Sequence, residues 1–208
     1  MKNILLSFCL FLLIFVSCKS KEEKAAELIK GELYKTLYDF ASYEPIETVV
    51  DSAFTSIYRD STILAYGYLT RGLLDKGNEY IEKAREAQST MQIWGDNYSS
   101  YSISKYDKAK QEFDSNLAIA KEYISKMDVI NNSIRIRAKG FKKTFCGWQA
   151  KHKFRCKTKG GNFDLPNYVF FIDPKFKKIY YSEDTADENL IKVKSLLDEV
   201  LETKNSAN

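Results

Sequence analysis

Proline is scarce, three in 208 residues, and the chain has one histidine, four cysteines and nine glycines. That composition excludes a collagen-like repeat, and 44% hydrophobic with 29% charged residues excludes a disordered polyelectrolyte. Beyond residue 16 no apolar run approaches the ~20 residues that cross a bilayer, which excludes a bundle of membrane-spanning helices. Acidic residues are missing from Val129 to Phe163, where ten lysines and arginines occur. The formal charge of the whole chain is only +4, so the rest is net acidic and the molecule is electrically lopsided.

The first residues carry an address. Met1-Lys2-Asn3 precedes Ile4 to Val16, where only Ser7 is polar: a short basic region and an apolar core too short for a mature membrane span. The run ends at Phe15-Val16-Ser17-Cys18, which resembles the lipobox of bacterial lipoproteins. The resemblance implies cleavage after Ser17, a diacylglyceryl thioether on Cys18, and acylation, typically by palmitate, of the new amino terminus. Two or three chains anchor a protein stably where one does not. Behind it, Lys21-Glu22-Glu23 resembles the signal that sends some Bacteroidetes-type lipoproteins to the outer leaflet, and reads equally as the solvated start of a helix. Asp does not follow Cys18, so the expectation is an outer membrane lipoprotein of the cell envelope, on its periplasmic face or its surface.

A tether at 18–24 should lead into one domain over 25–203, helical to 131, with a β-meander at 141–183, a closing helix at 186–202 and a frayed tail at 204–208. Ala25, Ile29, Leu33, Leu37 and Phe40 put one stripe on a first helix running from Lys21 to Phe40. After Pro45, the residues Ile46, Val49, Val50, Ala53, Phe54 and Ile57 fit a helical face, while their β-branching fits a strand. Asp60-Ser61 offers a cap. Tyr66, Leu69, Leu73, Gly77, Tyr80, Ala84, Ala87 and Met91 step by three or four, as do Tyr106, Ala109, Phe113, Leu117, Ala120, Ile124 and Met127. The turn Trp94-Gly95-Asp96-Asn97 between them predicts an antiparallel hairpin with a coiled-coil-like seam and arms of about 40 Å.

In the basic segment, Cys146, Trp148, Ala150, His152, Phe154 and Cys156 alternate with Gln149, Lys151, Lys153, Arg155 and Lys157, the pattern of a half-buried strand. Gly160-Gly161, Tyr168 to Ile172, Asp173-Pro174 and Phe176 to Tyr181 complete a three-stranded antiparallel meander. Thr185 and Glu188 form a capping box before Leu190, Val193, Leu197 and Val200 on the closing helix. The fold class is α+β, helix-dominated.

A zinc site or a Cys/His nucleophile outside Cys18 would need His152, Cys146 and Cys156. On a continuous strand rising about 3.3 Å per residue these lie too far apart to share a metal, a proton or a disulfide, unless a bulge near Gly147 folds the segment back. No glycine-rich phosphate loop, metal site, cofactor site or catalytic constellation is legible, although paired carboxylates of a hydrolase are not fixed by sequence spacing. Two surfaces remain. The row Lys151, Lys153, Arg155, Lys157 reads first as a solvated face that discourages strand-to-strand aggregation, and second as a surface for acidic glycans or lipid headgroups; nucleic acid does not suit an exported chain. Trp94, Tyr98 and Tyr101 at the hairpin tip suit an envelope protein or a glycan, or equally a plug for the seam.

At Gly147-Trp148, His152, Phe154-Arg155, Gly160, Tyr168-Val169-Phe170-Phe171 and Asp173 the chain resembles a group of small Bacteroidetes-type lipoproteins with a helical first part and a short meander behind it. That resemblance implies location and architecture, and attaches no catalytic role to these residues. The expected function is a lipid-anchored envelope protein with a binding or structural role; the rival is a periplasmic or surface hydrolase using carboxylates.

Overall fold

The computed structural model describes residues 19–96 and 98–202, so Cys18 and the lipobox lie outside the described residues. The chain is α+β and helix-dominated, with four helices and a five-stranded antiparallel sheet among the described residues. It separates into two compact units, one of residues up to 54 with 144–187, the other of 55–143 with 188 onward.

In the first unit, helix α1 (Lys21–Thr36) opens with a capping box: Ser20 Oγ accepts from Glu23 N–H, and the Glu23 carboxylate accepts from Ser20 N–H. Helix therefore begins inside the segment expected to be tether, and it stops before Phe40. Ala25, Ile29 and Leu33 are buried against the sheet, joining Ala150, Phe154, Cys156, Phe170 and Ile172. The sheet order is β1 (Asp39–Phe54), β2 (Phe145–Lys157), β4 (Asn167–Ile172), β5 (Ile179–Asp184), with β3 (Phe163–Asp164) paired to β2 beside Cys156 and Lys157. β4 is central, and Val169 to Ile172 are buried on both faces.

The Ile46–Phe54 stretch is strand, not helix. The register runs unbroken from Glu47 to Ala53, with Val50 packed toward Phe154 and Phe170 and Ala53 toward Val169 and Phe171 on the other face, so apolar residues on both faces of one strand fall at helix-like spacings; register shifts at Asp39/Glu44, Pro45/Glu47 and Ala53/Phe54 bound this run. Pro45 fits because β1 pairs only with β2 and lies at the sheet edge.

A bulge does occur at Gly147, but it does not fold β2 back. Gly147 has φ +139°, and Ala53 pairs with Gly147 while Phe54 pairs with Phe145, so the alternation skips a residue there. Cys146 consequently packs with Ala53, Val169 and Phe171, on the face opposite Phe154 and Phe170, and not on the face the alternation assigns it. Cys146 and Cys156 are both unpaired thiols.

The third meander strand is shifted to Ile179–Asp184. The Asp173 carboxylate accepts N–H bonds from Lys175, Lys177 and Lys178, winding 173–178 into a tight turn. Phe176 within it has φ +54°, a left-handed conformation that costs a bulky residue about 1–3 kcal/mol. Thr185 donates its hydroxyl to the Asn167 carbonyl instead of capping the next helix.

The second unit is built on α2 (Ser61–Trp94) and α3 (Ser100–Lys139), arms of 34 and 40 residues, about 50 and 60 Å at 1.5 Å per residue. Both arms exceed their sequence-based bounds, α3 because Arg135, Arg137 and Lys139 continue it, and cations are favourable at a helix C-terminus. Asp60 caps α2, accepting from the N–H groups of Thr62 and Ile63, and its carboxylate receives Arg137 at 2.7 and 2.8 Å. Gly77, Ala84, Ala87, Ala109 and Ala120 are buried, as the seam requires. Leu69 and Ile124 are half-exposed, while Thr70 is buried with its hydroxyl on Asn131 and Tyr80 stacks on Tyr123 at 5.8 Å. Helix α4 (Glu188–Glu202) buries Leu190, Val193, Leu197 and Val200 as its pattern predicts, and Val193 and Leu197 meet α2 at Gly67.

Candidate functional site

The end of α2, the start of α3 and the connection between them carry a group of exposed aromatic and aliphatic residues. Trp94 ends α2 half-buried, with its ring edge-on to Tyr101 at 5.6 Å. Ser99 caps α3 by accepting from Ser102 N–H, and the Ser102 hydroxyl returns a bond to the Ser99 carbonyl, so the start of that arm is fixed. Tyr98 is then 93% exposed and Tyr101 61% exposed. Ile93 at 68% and Ile103 at 50% flank them, two residues that reading the rings alone missed and that a scan for apolar residues off the seam stripe would have found. Trp94 thus closes the seam while Tyr98 stands clear of it, and Asn97 of the expected turn lies outside the described residues.

The basic row lies on the outward side of β2. Lys151, Lys153 and Lys157 are exposed and Arg155 is half-buried. Its register brings it acids: Asp39 opposes Lys157, Glu44 opposes Arg155 and Glu47 opposes Lys153. Arg155 reaches Glu44 at 3.5 Å and lies over the Phe163 ring at 3.8 Å, with Lys157 also above that ring. Cross-strand pairing of this kind stabilises a sheet modestly and cancels much of the field an anion would feel.

His152 is fully buried on the helix-covered face. Its Nε2 is 3.0 Å from the Tyr43 hydroxyl and its Nδ1 2.9 Å from the Thr48 hydroxyl, and it stacks on Phe154 at 5.4 Å. Burial pushes its pKa below the usual 6.5, against a smaller opposing influence from the Glu47 carbonyl. Burial also pushes the Cys156 thiol up, as do the nearby Asp164 and Asp39 carboxylates, which leaves it protonated and unreactive at neutral pH. No group of three His, Cys, Asp or Glu side chains gathers into a metal site among the described residues.

Shallow clefts flank α1. One of about 460 Å³ is lined by Ala26, Lys30, Phe40, Tyr43 and Pro45 among others. The acids facing these clefts are engaged: Glu23 in the capping box, Glu27 with Lys19, Glu32 with Lys35 at 3.3 Å. A glycosidase-like pair needs one carboxyl held up in pKa. Asp60, Glu79 and Glu122 are instead held low by Arg137, by Lys83 and Lys76, and by Lys126 respectively. At Asp173, burial pushes upward, but the backbone N–H groups of Lys178, Lys177 and Lys175 together outweigh it and leave the carboxyl low. All four of these carboxyls are moved downward, away from the acid a glycosidase-like pair needs.

Fold and surfaces together define a helix-dominated α+β protein whose exposed ring cluster projects from the end of a long helical hairpin. Compared with known proteins, the chain matches no family model, no curated protein and no solved structure. Among the described residues no helix is long and apolar enough to cross a membrane.

Proposed function

We propose that this is a lipid-anchored protein of the outer membrane, held by acyl chains on Cys18, whose hairpin tip binds a partner protein of the envelope. The observation that carries the reading is the exposure of Ile93 at the end of α2, Tyr98 on the connection, and Tyr101 and Ile103 in the first turn of α3. Tyrosines combine large contact area with a polar end and lose little rotamer freedom on binding, so they recur as anchors of interfaces. Ile93 and Ile103 add apolar area that a glycan would not use, which favours protein over sugar. Asp60, Glu79, Glu122 and Asp173, held low in pKa, are poor proton donors and lend the hydrolase reading no support.

Anchor and tip are tested separately. Cys18→Ala abolishes labelling by a metabolic fatty acid, and persistent labelling refutes the lipid site. A photo-crosslinking residue at Tyr98 captures one envelope protein that the same residue at exposed Lys110 on α3 does not capture, and Tyr98→Ser with Tyr101→Ser lowers that partner's affinity at least tenfold with unchanged thermal stability. Equal capture from both positions refutes the tip as the binding surface.

A further inference from the structure

Four aromatic rings form a continuous run at one end of the first unit's sheet. Phe54 and Phe145, paired across β1 and β2, meet edge-on at 6.2 Å; Phe145 meets Trp148 at 5.5 Å; Trp148 stacks on Phe176 at 5.6 Å. Phe54 is 40% and Phe145 48% exposed. The Lys21 ammonium lies 3.7 Å over the Trp148 ring, and the Trp148 indole N–H donates to the Pro174 carbonyl at 3.2 Å. Phe176 reaches its place in the stack from a left-handed backbone conformation, and strain kept in a surface turn points to use of that ring. Lys21 is three residues from Cys18, and three residues of chain span at most about 11 Å. Rings that are apolar in body, with an indole and lysines among them, are what membrane interfaces hold at headgroup depth.

We infer that Phe54, Phe145, Trp148 and Phe176, with Lys21 and Lys175, form a membrane-docking surface that seats the first unit on the bilayer holding its anchor. The inference rests on the lipid-anchor reading, and it commits to a phospholipid interface as the occupant. Docking gives the first unit a fixed face toward the lipid. The carboxylate of Asp173, the nearest acid in the turn, is turned onto backbone N–H groups and so does not oppose anionic headgroups strongly.

The two tryptophans make the test direct, since Trp94 and Trp148 are the only ones in the chain. The full chain purified from membranes, as Trp94→Phe or Trp148→Phe, is placed on phosphatidylcholine vesicles containing phosphatidylglycerol and brominated acyl chains. Trp148 emission at least halves and Trp94 emission does not change. The double variant Phe54→Ser, Phe145→Ser, altering two half-exposed rings, removes most of the Trp148 quenching and keeps the near-ultraviolet circular dichroism. Unquenched Trp148, equal quenching of both tryptophans, or dimming that accompanies self-association overturns the docking surface. Mass spectrometry of Cys18 reports the anchor independently: lipidated protein with unquenched Trp148 refutes docking alone, and unlipidated protein refutes the anchor while its Trp148 quenching still decides the surface.

Discussion

Replacing Gly147 by alanine strikes the point on which the geometry of β2 turns. A Cβ built there lies 2.1 Å from the Ile172 carbonyl oxygen, 3.2 Å from the Ile172 carbonyl carbon and 3.3 Å from the Asp173 carbonyl carbon, all of them backbone atoms that no rotamer change can move aside. Ordinary contact would require β2 and β4 to part by more than 1 Å, where both are packed between Ala150 and Phe170 on one face and Ala53 and Phe171 on the other. Overpacking of this kind costs about 1–3 kcal/mol. The φ of +139° adds about 1–3 kcal/mol for any residue with a side chain. Gly147→Ala should therefore lose about 2–6 kcal/mol of stability. Urea unfolding of the Trp94→Phe protein, followed by Trp148 emission, measures it. Gly161→Ala is the control: φ is +81°, no atom lies within 4 Å of its Cβ, and only about 1 kcal/mol of backbone strain is expected. A loss below about 1 kcal/mol at Gly147, or equal losses at the two glycines, would refute the argument that the close approach to Ile172 fixes the bulge.

Asp60→Ala should cost about 2 kcal/mol, most of it from the lost α2 cap because Arg137 is half-exposed, whereas Asp60→Asn should keep the cap and cost under about 1 kcal/mol; equal losses in chemical denaturation would show that the ion pair dominates. His152 binds a proton more weakly folded than unfolded, so stability is unaffected above the unfolded pKa of about 6.5 and falls as pH drops below it toward the folded value, with a slope of at most about 1.4 kcal/mol per pH unit. His152→Asn should flatten the stability profile below about pH 6.5, and a profile unchanged by that substitution would refute the assignment.

Helix was legible wherever one stripe met one neighbour. Ala25, Ile29 and Leu33 face the sheet, and Val193, Leu197 and Val200 pack with Ile63 and Ile134, so periodicity alone located them. Pattern reading failed where backbone geometry, not burial, set the outcome. The bulge at Gly147 sends Cys146 to the other face and the Asp173 turn displaces a strand by three residues, while at β1 apolar residues on both faces, Val50 and Ala53, disguise a strand as a helix. Thr185 matches a capping box in spacing, yet finds a strand carbonyl nearer at hand. The tip tyrosines and the lysine row were legible as exposed chemistry, but the acids opposite the row depend on a strand register that no local pattern specifies. The aromatic run was hidden for the same reason, since Phe54 and Phe176 join Phe145 and Trp148 only through pairing and turn geometry.

The pairing of Phe54 with Phe145 encloses the whole hairpin, residues 55–143, between two adjacent strands. Closing a flexible loop of about 90 residues costs entropy that rises as the logarithm of its length and slows long-range strand pairing. The helical arms form from contacts along and between near neighbours, and once they have formed, Thr55 donates to the Lys142 carbonyl at 2.6 Å, so the two ends of the loop already stand side by side. The order of assembly follows: the arms fold first and act as a splint, and β1 finds β2 as though joined to it by a short turn. A proline placed in the middle of α3 would thereby slow the formation of a sheet it never touches.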